Sequence, residues 1–170
     1  ERRFVGFSNY SAIFTADPVF WVAFKNTIIW TLLSLVIPPV VGLLLASSLN
    51  QNIFGRNSLR AIFYLPVIIA PIAVASMWKW TYDPFLGLFN QLLTNWGLQS
   101  WIQDWLGNKS IALYSVFVAY VWQTVGFSMV LFLAGLQNVS QTLIEAARID
   151  GAGRWAIFKH VTLPALRPTM

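Results

Sequence analysis

Asn26-Thr-Ile-Ile-Trp-Thr-Leu-Leu-Ser-Leu-Val-Ile-Pro38-Pro39-Val-Val-Gly-Leu-Leu-Leu-Ala-Ser-Ser-Leu-Asn50 is the stretch that decides the fold class. It sits in a long run without a charged residue, Asn26 to Gly55, between Lys25 and Arg56. A hydrocarbon core of about 30 Å needs roughly 20 helical residues, so the apolar block Thr27 to Leu49 is long enough to cross a bilayer. Pro38 and Pro39 remove backbone donors and should kink that helix near its middle. Working outward, Ala61 to Trp78 is a second uncharged run carrying Pro66 and Pro71, and Ser110 to Ile144 is a third, centred on Ile111 to Leu136. The expected spans are about 20–49, 61–78 and 111–136, which makes an all-α, polytopic integral membrane protein.

Composition agrees. At 57% hydrophobic and only 10% charged residues, the chain cannot coat a soluble globule, where charged residues run at about 25%. No cysteine is present, which removes disulfide frameworks, thiolate nucleophiles and thiolate metal cages. The sequence offers no paired carboxylates, no Ser/His arrangement and no His cluster, and His160 stands alone beside Lys159, as a surface or packing residue does. Without a Walker-type phosphate loop the chain cannot hydrolyse ATP by that route, so it reads as no enzyme. Any driving energy comes from another subunit or a gradient. The span cores hold no ionisable side chain, which argues against a proton relay or voltage sensor. The net charge of +5 is scattered between apolar blocks and not gathered in a stripe, so it signals topology and not nucleic acid. The chain starts at Glu1, not Met, with no signal-peptide pattern, and a fragment is expected.

Three spans put residues 50–60 and 137–170 on one side, with six Lys+Arg (Arg56, Arg60, Arg148, Arg154, Lys159, Arg167) against Glu145 and Asp150, a net of +4. Residues 1–25 and 79–110 share the other side, with five (Arg2, Arg3, Lys25, Lys79, Lys109) against Glu1, Asp17, Asp83 and Asp104, a net of +1. Lys and Arg accumulate in the cytoplasm, so the first side is assigned there and 79–110 becomes a periplasmic loop. That loop concentrates Trp80, Trp96, Trp101 and Trp105, with Trp78 at its edge. A helix Phe85 to Leu93 should break at Asn95-Trp96-Gly97, after which Leu98, Trp101, Ile102, Trp105 and Leu106 share one helical face. Interfacial indoles are one reading of these residues, and stacking on a sugar or on an external delivery protein is another.

Cytoplasmic residues 137–164 contain Glu145-Ala146-Ala147-Arg148-Ile149-Asp150-Gly151-Ala152-Gly153 and end at Leu163-Pro164. They read as two short helices around a glycine break. Ser140 caps the first, or Thr142 does so with Glu145 as a capping box. Ala146 and Ala147 keep that turn slim, and Gly151 and Gly153 let the chain turn. Trp155, Phe158 and Val161 line one face of the second helix, and Pro164 and Pro168 bend the entry to the next span. A basic amphipathic helix lying on the membrane looks broadly similar.

The string Glu145-Ala146-Ala147, Asp150-Gly151-Ala152, Phe158, Val161 and Leu163-Pro164 resembles the EAA motif of the membrane subunits of bacterial ATP-binding cassette importers. Elsewhere the chain is similar to the sugar and glycerol-phosphate branch: Gly6-Phe-Ser-Asn-Tyr10, Asn26-Thr27, Arg60, Leu65-Pro66, Trp80, Gly87 and Asn90. Ser140 stands where that family often has proline. The resemblance implies a permease with a core of about six spans, of which this chain holds the second to fourth, plus a cytoplasmic coupling helix. It implies that Glu145, Ala146, Ala147, Asp150, Gly151, Ala152, Leu163 and Pro164 couple to an ATPase. The implied partners are an ATP-binding subunit dimer, a second related permease, an extracytoplasmic solute-binding protein and the lipid of the bacterial inner membrane. No cofactor is expected on this chain, with ATP and Mg on the ATPase. Tyr120, Trp122, Gln123 and Phe127 on the third span suit a sugar path, because rings stack on C–H faces and amides bond hydroxyls, although helix packing explains them as well. A gradient-driven secondary transporter and a permease for a non-sugar solute remain the rival readings.

Overall fold

The computed structural model describes residues 6–166, so Glu1, Arg2, Arg3, Arg167 and Pro168 lie outside the described residues, as does the side chain of Arg154. Every regular element among the described residues is helical. The chain divides into two compact units, Glu1–Val36 and Ile37–Met170, parting one residue before Pro38.

In the first unit, α1 (Ser8–Ala16) stops at Asp17, whose Oδ1 accepts the backbone N–H groups of Val19 (2.9 Å) and Phe20 (3.4 Å). That cap, with Pro18 at the first helical position, starts α2 (Pro18–Leu49). Trp21 Nε1 donates to the Phe14 carbonyl at 3.0 Å, and the rings of Phe14, Phe20, Trp21 and Phe24 pack around that bond. The 32 residues of α2 continue as helix through Pro38 and Pro39, a length of about 48 Å at 1.5 Å per residue, ample for a bilayer.

In the second unit, Pro38, Gly42, Ala46 and Leu49 form the buried stripe of α2. The stripe meets α6 (Ala112–Gln137) closely: a Cβ added to Gly42 would stand 2.6 Å from Ser128 Cβ and 2.9 Å from the Met129 nitrogen. Gly126 of α6 does the same against α3 (Arg56–Ile68), where an added Cβ would overlap the Phe63 carbonyl. Small residues that let backbones touch are how helices associate where lipid removes the hydrophobic drive. Below these contacts Ala46, Leu49, Met129, Phe132, Leu133, Leu136 and Leu166 form the core. Arg60 Nη2 donates to the Leu49 carbonyl at 2.6 Å, setting a cation at the C-terminal end of α2, where the helix dipole is negative.

The run 61–78 is not one helix. α3 ends at Ile68, α4 (Pro71–Thr81) begins after two intervening residues, and the pair is bent by 100°. Pro71 is the cause. It has no N–H to continue the α3 ladder, and its ring forces the preceding residue out of the α region; Ala70 sits at φ −56°, ψ 134°. Among the described residues two helices, α2 and α6, are therefore individually long and apolar enough to cross a membrane, and the bent pair is a third only if it crosses as one broken span.

The segment after α4 is built around Asn90, which is buried on α5 (Leu88–Asn95). Its Nδ2 donates to the carbonyls of Pro84 (3.1 Å) and Gln103 (2.9 Å), and its Oδ1 accepts Trp105 Nε1 (2.8 Å) and the Gln103 N–H (3.4 Å). Tyr82 closes the base: its hydroxyl donates to the Ser115 carbonyl at 2.9 Å, and burial pushes the phenol up to about 12. Trp78, Tyr82, Phe89, Trp105 and Trp122 pack through this base in tilted and edge-on pairs, with ring centroids 5.1–6.4 Å apart. The expected helix over 98–106 is absent. Only a 3₁₀ turn, Gln99–Trp101, forms there, because Asn90 draws Gln103 and Trp105 into loop contacts. α5 also runs Leu88–Asn95, three residues later at its start than expected, since Asp83 Oδ1 first accepts the N–H groups of Phe85 and Leu86 in a turn.

Candidate functional site

Residues 139–166 leave the core and return to it. Val139 is buried just past the end of α6, and Leu166 is fully buried at the other end. Between them α7 (Gln141–Ile149) buries nothing, and Leu143, Ile149 and Trp155 are exposed. Glu145, Ala146 and Asp150 are exposed with them, while Ala147 and Ala152 are half-buried. A groove of about 810 Å³ separates this excursion from the ends of α2 and α6, with Asn50, Gln51, Leu136, Arg148 and Phe158 on its walls.

The turn at the tip is a Schellman motif. The Ala152 N–H bonds the Ala147 carbonyl at 2.9 Å, the Gly151 N–H bonds the Arg148 carbonyl at 3.0 Å, and Gly151 takes φ +80°. Gly151 thus holds the glycine-only conformation expected of it. Gly153 does not: its φ is not positive, and an added Cβ would meet open space. The capping box is also absent. Ser140 is the residue before the helix, but its hydroxyl pairs with the Thr142 hydroxyl at 2.6 Å and caps no backbone N–H. Thr142 lies inside α7, so Glu145 cannot reach back to close a box, and its carboxylate makes no hydrogen bond or ion pair among the described residues.

The second helix is composite: α8 (Arg154–Ile157), a π turn Phe158–Thr162 and α9 (Leu163–Ala165). Proline has no N–H and its ring crowds the carbonyl four residues back, here that of His160. The wider π turn, closed by the Leu163 N–H on the Phe158 carbonyl, accommodates Pro164. Trp155 and Phe158 stack at 5.6 Å, and His160 is exposed with Nδ1 3.0 Å from the Ala156 carbonyl.

On α6, Tyr120, Gln123 and Phe127 share one face by their spacing, and Trp122 lies on another. Gln123 Nε2 donates to the Ile69 carbonyl at 3.2 Å, at the break between α3 and α4. Trp122 packs edge-on against Trp78 at 5.8 Å, Tyr120 lies 5.8 Å from Phe117, and Phe127 is exposed. Sequence reasoning missed the loads on Asn90 and Gly126; a lone amide between apolar neighbours and a glycine inside a span were the available signals.

Residues 39–170, which include this whole excursion, match the family described as binding-protein-dependent transport system inner membrane component. The chain belongs to that family. It is 38% identical over 166 residues to the probable ABC transporter permease protein YurN of Bacillus subtilis, covering 96% of this chain and 56% of that protein. It is also 38% identical over 170 residues to the trehalose/maltose transport system permease protein MalF of Thermococcus litoralis, covering 100% and 57%. A solved bacterial alginate ABC transporter, in complex with an alginate pentasaccharide-bound periplasmic protein, superposes with a TM-score of 0.86 at 29% identity, covering 97% of this chain and 57% of that one. The chain therefore spans a little over half the length of the relatives it matches. The family is a membrane transport component, and the apolar helices of this member fit that placement.

Proposed function

We propose that this chain is part of a permease subunit of an ATP-driven carbohydrate importer of the bacterial inner membrane. One observation carries the reading: a short helical excursion pinned at Val139 and Leu166 holds Leu143, Ile149 and Trp155 exposed around Glu145 and Ala146. Exposed apolar side chains set among the charged Glu145, Arg148 and Asp150, on a segment too short to span, suit a protein partner better than lipid. In this reading an ATP-binding subunit dimer covers them and carries the ATP and Mg, while this chain binds no cofactor and catalyses nothing. Glu145, Ala146, Ala147, Asp150, Gly151 and Ala152 form the docking tip, and Leu163 and Pro164 return its motion to the spans. Residues 137–164 are then cytoplasmic and 79–110 periplasmic. The broken span and α6, with Tyr120, Trp122, Gln123 and Phe127, border the solute path. Relatives named for trehalose/maltose and alginate support carbohydrate as the solute class, and the periplasmic protein in the alginate complex supports a solute-binding partner beside a second permease.

Glu145→Gln in the full-length protein tests the docking tip. With no capping box to maintain, the change removes only the charge. A charge-assisted hydrogen bond is worth about 1.5–3 kcal/mol, so ATPase-subunit retention should fall about tenfold or more and transport with it. Unchanged retention across a salt series removes Glu145 from the interface.

A further inference from the structure

We propose that residues 84–103 form a membrane-surface element lying in the lipid headgroup region, with Phe85, Leu86, Leu88, Trp96, Leu98 and Trp101 in contact with lipid. Phe85 and Leu86 are 87% and 80% exposed, and Trp96 and Trp101 are 70% and 66% exposed. No charged residue occurs between Asp83 and Asp104, whereas a water-facing stretch of this length carries about one charge in four residues. The two bracketing aspartates are engaged with backbone. Asp83 Oδ1 accepts from Leu86 and Phe85, which hold its carboxyl below the ordinary carboxylate value, and Asp104 Oδ1 accepts the Gly107 N–H at 2.8 Å.

The inward side of the segment is already filled. Both polar atoms of the Asn90 side chain are engaged, and Trp105, Tyr82 and Phe89 pack toward Trp78 and Trp122. The exposed side chains are what remains outside. Their level is fixed too, because the Tyr82 hydroxyl on the Ser115 carbonyl ties the end of α4 to the first turn of α6. The segment leaves and re-enters the spans at one height. At that height indoles are favoured, having one wet edge and one apolar face. A second Schellman turn, with Gly97 at φ +74° and the Leu98 N–H on the Leu93 carbonyl at 2.8 Å, sets Trp96 and Leu98 either side of a rigid corner. Rigidity favours a fixed in-plane platform over a loop that samples water.

The chain has no cysteine, so single nitroxide labels at Trp96→Cys and Trp101→Cys can be placed in the full-length permease, any cysteine elsewhere being replaced. The complex is assembled with its partner subunits in nanodiscs of phosphatidylethanolamine and phosphatidylglycerol. Each label should collide severalfold more often with oxygen than with an aqueous nickel chelate, whether or not the solute-binding protein is added. Nickel collisions equal to those of a label at the exposed Lys109 overturn the proposal. So does protection from nickel that appears only when the binding protein is present, which makes the segment a protein-docking surface. Trp96→Phe in otherwise unlabelled protein gives a second readout: it should lose part of the tryptophan quenching by lipids brominated near the glycerol, and no loss overturns the proposal.

Discussion

At φ +80°, with nothing within 4 Å of an added Cβ, Gly151 is constrained by its backbone and not by its neighbours. Ordinary L residues meet about 1–2 kcal/mol in that region, asparagine less, and a β-branched residue is an outlier there. In the full-length protein, Gly151→Asn should keep uptake near wild type, while Gly151→Val should lower uptake with ATP hydrolysis continuing. Equal uptake from both would show that the angle is unimportant. The need for a turn glycine was legible at Gly151 because Asp150-Gly151 follows a helix-period run. Gly153 looked equivalent in sequence, and only the Ala152-to-Ala147 bond shows which glycine closes the helix. Glu145 is the reverse case: the Thr142 spacing suggested a local partner, and the helix start at Gln141 removed it.

Helices α3 and α6 meet at Gly126, where no side chain intervenes between the backbone and Phe63. Gly126→Ala should separate the pair and lower the melting temperature of the detergent-solubilised full-length protein. Overpacking of this kind costs about 1–3 kcal/mol, and an unchanged melt would mean that the contact relaxes freely. Charge-free length alone marked the stretches that contain α2 and α6, the helices Pro18–Leu49 and Ala112–Gln137. The break at Ile69 and Ala70 was written in Pro71, but length and hydropathy do not weigh a proline's effect on the residue before it. The helix expected over 98–106 failed for another reason: its apolar spacing was genuine, yet Asn90, more than a turn of chain away, competes for Gln103 and Trp105. Periodicity within a segment does not register a buried amide in the next one.

Across the molecule, the first half of α2 contributes no buried residue and the second half is held by Pro38, Gly42, Ala46 and Leu49. So narrow a stripe leaves the arrangement dependent on the remainder of a full-length protein. The 170-residue chain on its own should elute from detergent as a polydisperse species and melt over a broad range; a monodisperse, cooperatively melting monomer would refute this. Which faces need covering was not legible, because in a lipid-facing protein apolar side chains mark both lipid and partner. The π turn at Phe158–Thr162 bears on how such a chain can change length. A π turn absorbs one surplus residue without turning the helix beyond it, so a single-residue deletion there would press Pro164 into a regular helix, where its ring crowds the carbonyl four residues before it. The crowding falls two residues before Leu166, the fully buried pin of the excursion. Length in this part of the chain is therefore set by Pro164, and gaps should be tolerated at Gly153, outside the helix, sooner than within these five residues.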